Sequence, residues 1–149
     1  MTALALDSNY WSSLGDGVGA ILLYAIVGLV LMVIGFYGID LTTPGRLRTL
    51  VVEGRPNAVV VTAAGMISMA FIVVLAIFAS AGKLVEGLIA ALVFGLVGIV
   101  AQIISVRVIE KAIGIDIGAV LHADRFAVEA LIVAAAHFAL GLVVAFAIL

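Results

Sequence analysis

Four stretches of this chain are each long enough and apolar enough to cross a lipid bilayer, and no other property limits its fold as severely. One crossing takes about 20 predominantly apolar residues. The stretches run Val18 to Ile39, Asn57 to Ala79, Leu84 to Ile109 and Phe126 to Leu149. Within them the full charges are Glu86, Arg107 and Glu129, each close to an end. The 149 residues are 66% hydrophobic and 11% charged, whereas a soluble domain is about half apolar and a quarter charged. Too little polar surface is present to coat a water-soluble fold. The prediction is an all-α integral membrane protein with four transmembrane helices, its solvent the lipid bilayer. The third stretch is long, which implies tilt or an early start.

Charge placement predicts orientation. Arg46, Arg48 and Arg55 lie between the first and second stretches; Arg107, Lys111 and Arg125 lie in or beside the connection between the third and fourth. Lys83 alone is in the short second connection, Ser80 to Lys83. Positive charge marks the cytoplasmic side, so the chain is expected in a bacterial cytoplasmic (inner) membrane with both termini extracytoplasmic. Residues 1–17 have no Lys, no Arg and no apolar run ahead of Val18, so they read as an exposed tail rather than a cleavable leader, with Tyr10 and Trp11 at headgroup level. The net charge of −2 gives no polyanion-binding footprint, so nucleic acid is not an expected partner.

A shift of 69 residues lays the first two stretches on the last two, Gly45 meeting Gly114 and Ala58 meeting Ala127. Each unit crosses twice, so its copy keeps the same orientation, as in parallel-repeat folds. The expected organisation is a tail (1–17) followed by two tandem hairpins (18–79 and 80–149) that form a four-helix bundle. The two long loops carry apolar residues at helical spacing, at Leu47, Leu50 and Val51 and again over Ile113 to Leu121. They read first as loops solvated at headgroup level and second as short interfacial helices. On the second reading Arg46, Arg48, Arg55, Arg107, Lys111 and Arg125 would contact lipid or a partner.

Helices in lipid pack through small residues, because lipid tails are as apolar as Leu. The fourth stretch has such a stripe in Ala130, Ala134, His137, Gly141 and Ala145; its repeat equivalent is Val61, Gly65, Ser68, Ile72 and Ala76. Gly87, Ala91 and Gly95 lie four apart in the third, and Gly28 and Gly35 seven apart in the first. His137 lies about 17 Å along its helix, near the midplane of a roughly 30 Å core. An ionisable group at that depth suggests a functional site, but a neutral imidazole bonded to a neighbouring helix is the reading ranked first. Its repeat partner Ser68 fits that ranking. Glu129 reads as an end cap able to meet Arg125. Gln102 and Ser105, with Thr62 and Glu129, would make a polar cluster on the cytoplasmic side. His122 reads as exposed.

Enzyme signatures are absent: there is no HExxH, GxSxG or GxxxxGK[ST] pattern and no Cys. Neither a cofactor nor a metal is expected, and the chain is not expected to be an enzyme. The junctions Thr43-Pro44, Val52-Glu53-Gly54 and Asn57-Ala58, with Gly65 downstream, resemble those of the YjfL/YshE-type family of bacterial inner-membrane proteins, a domain of unknown function with two hairpins in tandem. Here Arg55-Pro56 separates the family's adjacent Gly-Asn, and His122 to Ala127 replaces it at the second junction. The resemblance implies a four-span membrane protein and carries no activity. Two functions follow as expectations. The first is a structural or accessory membrane protein, a homo-oligomer or a subunit of a larger complex. The alternative is an oligomeric ion, proton or small-solute channel or transporter component, with Ser68, Gln102, Glu129 and His137 lining its path.

Overall fold

In hydrocarbon a backbone must satisfy its own N–H and C=O groups, which leaves an all-apolar run little choice but the helix. The computed structural model describes residues 9–42, 45–79 and 83–149. They form α1 (Tyr10–Thr42), α2 (Leu47–Val52), α3 (Pro56–Ala79), α4 (Leu84–Ile113), α5 (Ile117–His122) and α6 (Glu129–Ala147). Four of them, α1, α3, α4 and α6, are long and apolar enough to cross a membrane. Residues 1–8 with Asp7, Thr43-Pro44, and Ser80 to Gly82 of the short turn lie outside the described residues.

Several span boundaries differ from expectation: α1 and α4 run on to Thr42 and Ile113 rather than ending at Ile39 and Ile109, and two helix starts move as well. Helix α1 starts at Tyr10 rather than Val18, so part of the expected tail is helical. Its 33 residues extend about 50 Å at 1.5 Å per residue, somewhat more than the roughly 40–45 Å of a bilayer with its headgroup layers. Tyr10 and Trp11 are exposed near this end with their rings edge to face, 5.5 Å between centroids. Helix α6 starts at Glu129, three residues late, because the chain before it is held away from helical geometry by Asn57 of α3.

The expected small-residue stripes are the packing faces. All five stripe residues of α3 and all five of α6 are buried. Gly95 of α4 receives Leu31 of α1, and Gly98 receives Ile72 of α3. Gly141 lets α6 come so close to α3 that a Cβ there would stand 2.9 Å from the Ser68 Cα. Helix α3 touches every other helix, while α1 packs on α4 and α3 with no comparable contact to α6. Over its most apolar stretch α1 is 6% buried, against 33–44% for the other three spans.

The 69-residue repeat appears in the contacts themselves. Arg55 pairs with Asp124, and the Ser68 hydroxyl donates to the His137 carbonyl; both pairs are 69 residues apart. Helices α3 and α6 thus run parallel and in register, and the axis relating the halves passes between them. Gly45 (φ +80°) and Gly114 (φ +74°) hold left-handed turns at equivalent places ahead of the two short helices, a conformation that costs Gly little.

The short helices correct the expectation of solvated loops. Leu47 and Leu50 of α2 and Ile117 and Leu121 of α5 are buried in one cluster with Ile39, Ala58, Val61, Ala130 and Val133. Together α2 and α5 close one end of the bundle, and their apolar sides face inward because a core is available there. They are capped differently. Asp116 caps its own helix, its carboxylate accepting from the Ala119 amide at 2.9 Å. Arg46 makes no cap bond for α2; instead Asp40, at the end of α1, accepts from the Arg48 amide at 2.9 Å.

Candidate functional site

Polar side chains meet at two levels. The first is midway along the bundle, where Gln102 of α4 donates to the Ser68 hydroxyl and Ser68 donates to the His137 backbone carbonyl at 2.8 Å. All three residues are at most 2% exposed. This chain ties α4, α3 and α6 together at the height where Ser68 and His137 face each other across the repeat axis. Gln102 therefore belongs to the centre, not to the expected end cluster. Ser105 is half-buried and Glu129 exposed, neither taking part. The expected Glu129–Arg125 contact is absent too: the helix begins at Glu129, so no helical i, i+4 pair with residue 125 exists.

His137 departs in one respect from the expected imidazole bonded to a neighbouring helix. Its backbone carbonyl accepts the interhelical bond, while both ring nitrogens are buried without a hydrogen-bond partner among the described residues. Gly65 flanks the ring, and a Cβ there would stand 4.0 Å from Nδ1. The Thr62 hydroxyl, one turn along α3 from Gly65, is likewise buried and unpartnered. Leaving such groups unbonded costs about 1–3 kcal/mol each, so these atoms define the most polar unsatisfied place inside the bundle.

The second level is the junction beneath α5. Asn57 is fully buried; its amide donates to the carbonyls of Val120 and Arg125, both at 2.9 Å, and its carbonyl accepts from the Ala127 amide at 2.9 Å. Arg125 and Ala127 flank Phe126, the repeat equivalent of Asn57. One Asn beside the axis therefore holds the junction of the other half, where the chain has Phe126 at the equivalent position. The sequence flagged Asn57 as a junction residue but not as this clamp, since its partners are 63 to 70 residues away. His122 is exposed, as expected, with its ring packed over Gly45 and Nδ1 2.8 Å from the Gly118 carbonyl.

The six cations separate into two groups. Arg55 is engaged by Asp124 and Glu53, and Arg107 by Glu110 at 2.9 Å. Arg46, Arg48, Lys111 and Arg125 are exposed and make no ion pair among the described residues. No group of three or more His, Cys, Asp or Glu able to hold a metal occurs among the described residues.

Fold and polar sites together define a multi-pass membrane protein of four helical spans, built as two tandem hairpins packed into one bundle. The chain belongs to the family described as Domain of Unknown Function (DUF350), whose model matches residues 13–148. It is similar to a UPF0719 transmembrane protein of Mycolicibacterium paratuberculosis, 44% identical over 85 residues covering 56% of each chain. It is also similar to the UPF0719 transmembrane proteins Mb2631 of Mycobacterium bovis and MT2674.1 of Mycobacterium tuberculosis, each 45% identical over 80 residues and 53% of each chain. The alignments span about half the length of these curated relatives. No solved structure matches the chain. An uncharacterised family of membrane proteins is what the junction motifs implied, and none of these relatives points to an enzyme family.

Proposed function

We propose that the chain is a non-catalytic packing subunit of the bacterial cytoplasmic membrane. It assembles with its own copies or with other membrane subunits through the outer face of α1. The arginine-bearing loops face the cell interior, and both termini lie outside. The observation that carries this reading is the isolation of α1. The small-residue stripes of α3 and α6 are buried within the bundle, whereas a Cβ at Gly15 or Gly19 would meet nothing within 4 Å. These glycines continue at spacings of three and four into Leu22, Ile26 and Leu29, which are 59–64% exposed. That is the period of a knobs-into-holes seam, with a four-residue glycine spacing suited to close helix approach.

The test is the oligomeric state in lipid nanodiscs. The wild type should be recovered as an assembly, and Gly15→Leu with Gly19→Leu should weaken self-association at least tenfold, about 1.4 kcal/mol, without loss of helicity. A monomeric wild type that also recovers no membrane subunit from native membranes would refute it.

A second reading, an oligomeric proton or small-solute path, has one observation in its favour: the unpartnered His137 imidazole deep in the bundle. Glu129 supports it no longer, being exposed at the start of α6. Proton flux into protein-loaded liposomes that falls in His137→Ala would select this reading. Flux equal to that of empty liposomes rejects it.

A further inference from the structure

We propose that the groove between α1 and the α2–α3 segment is a binding site for one anionic phospholipid, its headgroup phosphate held by Arg46 and Arg48 and one acyl chain lying between α1 and α3.

The headgroup end is a groove of about 750 Å³ where the last turn of α1 meets α2. Its polar lining is Arg46, Arg48, Thr49 and Asp40; its rim carries Leu41 and Val52, which are 85% and 80% exposed. The one carboxylate present is turned to the protein, Asp40 accepting from the Arg48 amide at 2.9 Å. Both guanidinium groups remain without an acidic partner among the described residues. Two free arginines and a hydroxyl beside exposed aliphatic residues suit a group that is anionic at one end and apolar at the other. Arginine in particular matches phosphate oxygens through its planar fork of donors.

The groove continues. Tyr37 lines both the headgroup site and a second, almost wholly apolar groove of about 340 Å³ against Val51 and Met66. Leu29 and Met32 are shared in turn by that groove and a third, of about 280 Å³, which reaches Ala25 and Gly28 against Ala70 and Val73. From Tyr37 to Ala25 is about 18 Å along α1 at 1.5 Å per residue, and one leaflet of a roughly 30 Å core is about 15 Å deep. The length is that of one acyl chain, and the cations stand at the end where its headgroup would be.

The repeat shows that the fold does not require these residues. Arg46 and Arg48 have Ile115 and Ile117 at their equivalents, and Asp116 to His122 holds no Lys or Arg in either neighbouring register. Ala25 and Gly28, which keep the apolar end open, correspond to Phe94 and Val97. The second half builds the same hairpin with neither the cations nor the small residues.

Delipidated protein in detergent, titrated with phosphatidylglycerol and followed by native mass spectrometry, tests the assignment. One lipid should bind per chain, at least tenfold tighter than phosphatidylcholine. Arg46→Gln with Arg48→Gln should erase that preference, whereas Lys111→Gln with Arg125→Gln should leave it intact. Gly28→Leu should weaken binding of the long-chain lipid severalfold and leave a dihexanoyl analogue unaffected. Inorganic phosphate in millimolar excess should not displace the lipid. Retained preference in the double arginine variant, with helicity unchanged, would overturn the proposal. So would displacement by free phosphate, or recovery of a peripheral protein rather than a lipid through Arg46 and Arg48.

Discussion

Gly141→Ala is expected to destabilise the folded protein by about 3 kcal/mol, the upper part of the range for overpacking a fitted interior. Alanine is the better helix former by up to about 1 kcal/mol, so packing alone must supply a larger opposing cost. It does so because of what the new methyl group meets. The Cβ would fall on the Ser68 hydroxyl, 2.7 Å from the Ser68 Cβ and 2.9 Å from its Cα. A flexible side chain end can turn away; an α-carbon moves only with its helix. Helices α3 and α6 would have to separate where Ser68 donates to the His137 carbonyl and accepts from Gln102, loosening three spans at once. Gly17→Ala, off the Gly15–Gly19 face of α1, is the control of opposite sign, since nothing lies within 4 Å of its Cβ position. Unfolding of the micellar protein by increasing fractions of SDS would measure both. Ser68→Gly should rescue Gly141→Ala only in part, because the α-carbon remains. Gly141→Ala within 0.5 kcal/mol of wild type, by the same assay and about the scatter of a neutral surface change, would show that the two helices do not approach as described.

How much of this the sequence revealed depends on the range of the interactions. The spans were readable because hydrocarbon selects for apolar length, a property of consecutive residues. The packing stripes of α3 and α6 were readable for a similar reason: Gly65 and Ser68, or His137 and Gly141, repeat at the spacing of a helix face. What was not readable depends on residues some 70 positions apart. Nothing near Phe126 says that Asn57 will bond the backbone on either side of it and delay α6 until Glu129. The amphipathic period of α2 told that Leu47 and Leu50 share a face, not whether lipid or core would cover it; α3 decided that by offering Ala58 and Val61. The His137 ring was expected to bond a neighbour, yet the repeat brings its backbone, not its ring, to Ser68. Depth along a helix is written in the sequence, and the bonding of one atom at that depth is not.

Asn57→Ala should cost about 3 kcal/mol and melt the junction of the second half before the rest of the bundle. The side chain makes three bonds at 2.9 Å to backbone groups of Val120, Arg125 and Ala127; the Val120 carbonyl keeps the Ala123 amide as a second partner, whereas Arg125 and Ala127 lie outside any helix. Each buried group left unbonded costs about 1–3 kcal/mol. Water at the bundle end can reach some of them, which keeps the sum below the full total. Asn57→Asp separates the donor role from the acceptor role. It retains the acceptor for the Ala127 amide but turns carboxylate oxygens toward the Val120 and Arg125 carbonyls, where the native amide donates. That replaces two attractions with two repulsions around a charge at a fully buried position, and a buried uncompensated charge is more costly than a lost neutral bond. The expected order of stability is wild type, then Asn57→Ala, then Asn57→Asp. Hydrogen exchange supplies the local readout: the Ala127 amide should exchange faster in Asn57→Ala than in Asn57→Asp, although the latter is the less stable protein. The two assays thus rank the variants in opposite order. A clamp acting through both ends of one amide produces that inversion, whereas a residue that merely fills space would make the rankings agree.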